Sequence, residues 1–146
     1  MWASMRKSLP SNCHATRIEN RHGGGIPDVH LAWNGVSVWV ELKVGKGHAA
    51  FLRPQQSAWH LRQATCGGLT YVLCGCPRSP LVKIYRGSDA ALAGSAGLLC
   101  APALVDGAVM EEALRLMRED ALRLSALRLA DPDSAPLREK APTPSA

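Results

Sequence analysis

The sequence predicts an α/β sandwich, a mixed β-sheet flanked by helices, with an amphipathic helix added at the C-terminal end. Three observations carry this reading. Asn34-Gly35 separates two β-rich runs, Asp28 to Trp33 and Val36 to Val44, and Asn-Gly between alternating apolar residues is the strongest short hairpin signal. Pro54 stands where a first helical residue belongs, the run Gln55 to Thr65 has helical composition, and Gly67-Gly68 ends it. Two further β-rich runs follow, and helix and strand signals interleaved in this way make a layered α/β fold rather than a bundle or a barrel.

Taken in order, residues 1–12 have no periodicity and read as a flexible arm. From Cys13 to His22 the sequence predicts a short helix, with Ser11 or Asn12 as N-cap and Gly23-Gly24-Gly25 as its stop. The hairpin comes next. Gly45 to Leu52 is a loop leading to the helix started by Pro54, and Leu69 to Leu73 and Leu81 to Tyr85 are strands separated by the turn-rich "CGCPRSP". Beyond Gly87 the chain is rich in Ala and Gly. Leu114, Met117, Ala121, Leu124 and Leu127 then form a stripe at helical spacing, which predicts an amphipathic helix over Glu111 to Ala130. That helix packs on its own domain, pairs with a second copy in a homodimer, or docks on another protein. The segment 131–146 is rich in Pro, Ser and Ala and reads as a disordered tail. The expected organisation is thus an arm, one domain over 13–105, a helix over 106–130 and a tail.

Length and charge narrow the function. A chain of 146 residues with 47% hydrophobic residues builds one compact domain. Its apolar runs are broken well short of the roughly 18 residues that span a bilayer, and the first 15 residues lack the apolar centre of a signal peptide. A soluble cytoplasmic protein without a membrane partner is expected, and five cysteines without framework spacing agree with reduced thiols. Cys74-Gly-Cys76 lacks the paired spacing of a zinc site. The net charge of +5 is unevenly placed: residues 1–105 carry eleven Lys/Arg against four Asp/Glu, or +7, and residues 106–146 carry six against eight, or −2. A basic body attracts polyanions, above all nucleic acid.

Its few acids are concentrated. Glu19, Asp28 and Glu41 fall in the most strand-like part of the chain, which suggests a cation site. In the strand Val36 to Val44, Glu41 and Lys43 point to the same face as Ser37 and Trp39. Counting back from the two-residue turn, Val36 faces Trp33, so Glu41 faces Asp28, with Cβ atoms about 5 Å apart. Two facing carboxylates destabilise a hairpin unless a cation separates them, and Mg²⁺ takes one or two carboxylates together with water and substrate phosphate. Glu19, on the expected first helix, is a third candidate ligand or a surface glutamate. Lys43 beside such a metal screens charge that builds up on an attacked phosphate. Lys46, His48 and Arg53 lie along the loop after this strand, placed for contact with nucleic-acid phosphate. Trp33, Trp39 and Trp59 are either core residues or surfaces for bases to stack on, with core favoured for Trp59 and Trp39 reading as a floor to the site.

Pro27-Asp28, followed by Glu41-Leu42-Lys43, resembles the PD-(D/E)-x-K nuclease motif. The surroundings "GGGIPDVHLAWNGVSVWVELK" and "LRPQQSAWHLRQATCGGLTYVL" are similar to the small phage-type branch of that superfamily, the VRR-NUC-like endonucleases. The resemblance covers about residues 14–86 and is silent on the rest. It implies a restriction-endonuclease-like core of helix, hairpin, helix, strand and strand. It also implies a Mg²⁺- or Mn²⁺-dependent DNA endonuclease, structure-specific toward branched or junction DNA in phage DNA processing, which would place the protein in a bacterial host cell. Asp28 and Glu41 would be metal ligands, the backbone carbonyl of Leu42 a further ligand, Lys43 the catalytic lysine, Glu19 the acid of the first helix, and Gln56 the glutamine near the water or phosphate. The alternative reading is a non-catalytic nucleic-acid-binding module on the same fold.

Overall fold

A computed structural model describes residues 1–19 and 24–131. The elements in chain order are α1 (Trp2–Lys7), β1 (His14–Arg17), β2 (Val29–Trp33), β3 (Val36–Val44), α2 (Pro54–Thr65), β4 (Leu69–Cys76), β5 (Ser79–Arg86), α3 (Gly87–Ala93), β6 (Val105–Val109) and α4 (Met110–Ala130), with two 3₁₀ turns between α3 and β6. The six strands form one sheet in sequence order. All neighbours are antiparallel except β3 and β4, which are parallel because α2 carries the chain back across the sheet. The expected mixed sheet flanked by helices, with an added C-terminal helix, is the observed architecture.

The hairpin has the register that its turn demands. Asn34 and Gly35 both have positive φ, 46° and 74°, the backbone that two-residue hairpins use. Trp33 pairs with Val36 and Val29 with Val40. Strand alternation then divides the chain between two cores. Val29, Leu31, Val38, Val40, Tyr71, Leu73 and Ile84 face α4, where Ala113, Leu114, Met117 and Ala121 are buried against them. On the other face Val72, Cys74 and Tyr85 pack with Leu52, with Ala90 and Ala91 of α3, and with Leu98. α4 is tied to the sheet through Asp120, whose carboxylate accepts hydrogen bonds from Tyr71 Oη at 3.1 Å, Arg86 Nε at 3.0 Å, Arg86 Nη2 at 2.6 Å and Arg123 Nη2 at 2.7 Å.

Four expectations are corrected. The helix foreseen from Cys13 to His22 is instead the edge strand β1, followed through Glu19 by irregular chain; residues 20–23 lie outside the described part. The unpaired N–H and C=O groups of β2 need a partner, and "HATR" supplies a strand of which each residue pairs with β2. The arm over 1–12 contains α1, held down by a fully buried Met5. "CGCPRSP", expected as a turn-rich separator, is mostly strand: β4 runs to Cys76 and β5 begins at Ser79, forming a hairpin with a register shift between Gly75 and Cys76. The boundary drawn at residue 105 falls inside the fold, since β6 pairs with β5 and leads directly into α4. The expected disordered tail lies, beyond Asp131, outside the described residues. Among the described residues no helix is long and apolar enough to cross a membrane, and the five cysteines are unpaired.

Candidate metal centre

Asp28 stands in the bend that opens β2, one residue before the paired strand, and therefore at the position facing Glu41. Its Oδ2 accepts a hydrogen bond from the backbone N–H of Leu42 at 2.8 Å. The carboxylate thus leans across onto β3, and one of its two oxygens is fixed. Ile18 donates its N–H to the Asp28 carbonyl at 2.7 Å, so the strand edge holds the same residue from the other side.

Glu41 is 2% exposed. Its Oε1 accepts from Gln56 Nε2 and lies 3.2 Å from Lys43 Nζ. Among the described residues its Oε2 is buried and has no hydrogen-bond partner. Burial pushes the Glu41 carboxyl above the usual carboxylate range and the charge of Asp28 adds to this, against the pull of Lys43 and Arg53. A carboxylate held buried, next to a second one and with an oxygen left over, is costly to the fold.

Gln56 completes the cluster, and the local sequence explains how. Pro54 starts α2 with Arg53 as N-cap, which makes Gln56 the third residue of the helix. From there its Oε1 accepts the Arg53 backbone N–H at 3.0 Å and Lys43 Nζ at 2.7 Å, while its Nε2 donates to Glu41. One amide therefore caps the helix and bridges the carboxylate to the ammonium. Both ends of the amide have partners of one kind only, which fixes its orientation.

The residues fit a hard divalent cation. Asp28 and Glu41 present oxygen ligands, and the orphaned Oε2 of Glu41 is the group that such an ion would satisfy. Among the described residues no group of three or more His, Cys, Asp or Glu side chains is placed to hold a metal. Glu19 is accordingly apart: it is exposed, follows β1 rather than riding on a helix, and lies one residue past Ile18, which faces Asp28. Lys46 and Arg53 are exposed, and Arg53 acts on Glu41 through its charge. His48, at φ 65°, instead pairs its Nε2 with the Leu81 carbonyl at 2.9 Å and so ties the loop to β5.

Two features next to the centre were not foreseen. His60 of α2 is fully buried, with Nδ1 2.6 Å from Thr70 Oγ1; burial, helped by the charge of Lys43, lowers its pKa to about 4. No sequence signal distinguishes it from the surface histidines. His30, Trp39 and Trp59 form a chain of ring contacts on the face that bears Glu41, at 4.8 Å and 5.5 Å between centroids. Trp59 is half-buried rather than core, and Trp33 lies on the opposite face with the Arg118 guanidinium 5.6 Å from its ring centre.

No family model matches the chain, and no curated protein matches it. Among solved structures the chain is similar to Hjc, a Holliday junction resolvase from Archaeoglobus fulgidus, at 16% identity and a TM-score of 0.45, over 58% of this chain and 69% of that one.

Proposed function

We propose that the chain is a divalent-metal-dependent endodeoxyribonuclease of the PD-(D/E)-x-K type, of the small VRR-NUC-like kind, that hydrolyses phosphodiester bonds. The observation that carries the proposal is the cluster itself: facing carboxylates Asp28 and Glu41, with Lys43 two residues on along the same strand face and tied to both Glu41 and Gln56. The +7 charge of residues 1–105, eleven basic against four acidic, favours a nucleic-acid substrate.

Asp28 and Glu41 would hold Mg²⁺ or Mn²⁺, with the carbonyl of Leu42 as a further ligand. The ion, when bound, supplies Lewis acidity toward the phosphoryl oxygen and lowers the pKa of a water beside it. The chain's own residues do the positioning. Leu42 N–H keeps Asp28 turned toward β3. Lys43 has three N–H donors; Gln56 Oε1 and Glu41 Oε1 take two, and the third is left to stabilise charge developing on the attacked phosphate. Gln56 prevents the ammonium from swinging away. Glu19 is not needed for this arrangement.

The test is cleavage of plasmid and branched DNA in Mg²⁺, in Mn²⁺ and in EDTA. Wild type is expected to cut only with metal, and Lys43→Ala to lose at least a hundredfold in rate, the scale of one removed transition-state donor. Equal rates for wild type and Lys43→Ala would sink the proposal, and tight binding without cleavage under both metals would favour a binding module instead.

A further inference from the structure

On the face that carries Glu41 and Lys43, the half of the sheet made by β1, β2 and the start of β3 is open to solvent. His14, Thr16 and Ser37 are exposed there, and His30, Trp39 and Trp59 are half-buried. Register explains the grouping: Trp39 pairs with His30, which pairs with Thr16, so three neighbouring strands present one row. Trp39 is two residues from Glu41 along β3, about 7 Å. Its ring meets His30 at 56° and Trp59 at 68°. Trp39 is parallel to neither neighbour, so its contacts with them are tilted or edge-on. The row carries two imidazoles and two hydroxyls, with His30 bonded to Ser37 at 2.5 Å, the polar composition of a sheet face open to water.

We infer that this row is a stacking platform for an unpaired nucleobase next to the scissile phosphate, which would make the preferred substrate DNA with single-stranded character. The inference rests on the proposed nuclease reading for the location of the phosphate. Three things favour a nucleotide as the occupant. The row is continuous with the carboxylate–lysine cluster, it carries no acidic side chain of its own, and it belongs to the basic part of the chain. Indole and imidazole rings hold any base by its π-face, and a paired base is not available for this.

The experiment measures binding in EDTA, where cleavage does not intervene, by anisotropy of an end-labelled probe. A short oligothymidylate is compared with an abasic deoxyribose-phosphate oligomer of equal length. Wild type is expected to prefer the base-bearing strand by about 5- to 150-fold, the range for one stacked base. Trp39→Leu should lose that preference and Trp39→Phe should keep most of it. Equal affinity of wild type for the two probes overturns the platform without touching the nuclease proposal, and so does a preference that survives in folded Trp39→Leu. If Trp39→Leu does not fold, wild type and Trp39→Phe decide: a base preference in wild type that Trp39→Phe largely keeps supports the platform, and equal affinity of wild type for the two probes overturns it. A base preference with no cleavage in Mg²⁺ or Mn²⁺ leaves the row as a base-binding surface and removes both the nuclease and the scissile phosphate beside it.

Discussion

Acidification from about pH 7.5 to about pH 5 weakens the fold through His60. The imidazole is fully buried against Thr70 and close enough to Lys43 to feel its charge, so protonation is resisted and its pKa falls to about 4. In the unfolded chain the same ring titrates near 6.5. A base whose folded pKa is depressed gives the folded state no penalty above the unfolded pKa; as pH drops below about 6.5, the unfolded chain takes up a proton that the folded one refuses. At about pH 5 the two values correspond to a loss of about 2 kcal/mol, most of it from the unfolded side. For a domain of this size that is a fall of roughly 6–8 °C in Tm. The assay is urea unfolding at both pH values for wild type and His60→Gln. The variant is less stable at either pH, but its acid-induced loss is smaller than wild type's by about 2 kcal/mol, since the substitution removes the ring whose burial resists the proton. Equal losses would refute the burial argument.

Three other outcomes follow from the site and its scaffold. Mn²⁺ or Mg²⁺ should raise the Tm of wild type and leave Asp28→Asn unmoved, with a gain of about 2.7 kcal/mol at a hundred times the Kd; calorimetric titration checks the same loss directly. Gln56→Leu leaves Lys43 Nζ, Glu41 Oε1 and the Arg53 N–H each short of a partner, so thermal unfolding should show a loss of about 1–3 kcal/mol and cleavage should slow more than the fold weakens. Burial pushes the Asp120 carboxyl up, but the hydrogen bonds from Arg86 and Arg123, together with that from Tyr71, outweigh this and hold it below the ordinary carboxylate range. Its stabilisation is therefore full above that range and lost as pH falls through the lowered value. Asp120→Asn should cost about 2 kcal/mol in denaturant unfolding, less than a fully buried pair because Arg86 and Arg123 are partly exposed.

What could be read in the sequence was what local chemistry determines. Asn34-Gly35 dictates a two-residue turn, and the turn dictates the register that brings Asp28 opposite Glu41. Pro54 and Gly67-Gly68 likewise frame α2 to within a residue. What was missed depends on distant partners. β1 is a strand because β2 has an edge to fill, α1 is ordered because Met5 reaches the core beneath α4, and β6 is a strand because β5 offers hydrogen bonds; none of the three has a periodicity that announces it. At the site, Glu41, Lys43 and Asp28 were legible from alternation and register. The threefold bonding of Gln56 was not, since it requires knowing that the first turn of α2 lands on Glu41 and Lys43.

The charge count of the cluster separates the nuclease proposal from a passive nucleic-acid binder. Asp28, Glu41 and Lys43 sum to −1 in their ionised forms, at a place where a DNA-binding surface needs positive charge. A binder would gain affinity by losing Glu41, whose burial and unsatisfied Oε2 also cost stability. With one divalent cation the same residues sum to +1, repulsion between the carboxylates becomes attraction to a shared ion, and a phosphodiester is drawn in rather than repelled. The two readings therefore predict opposite signs for one measurement. In EDTA, Glu41→Gln should bind DNA more tightly than wild type on either account; in Mg²⁺ or Ca²⁺, wild type should overtake the variant only if the carboxylates hold a metal, and a variant that binds more tightly under all conditions would show that they do not.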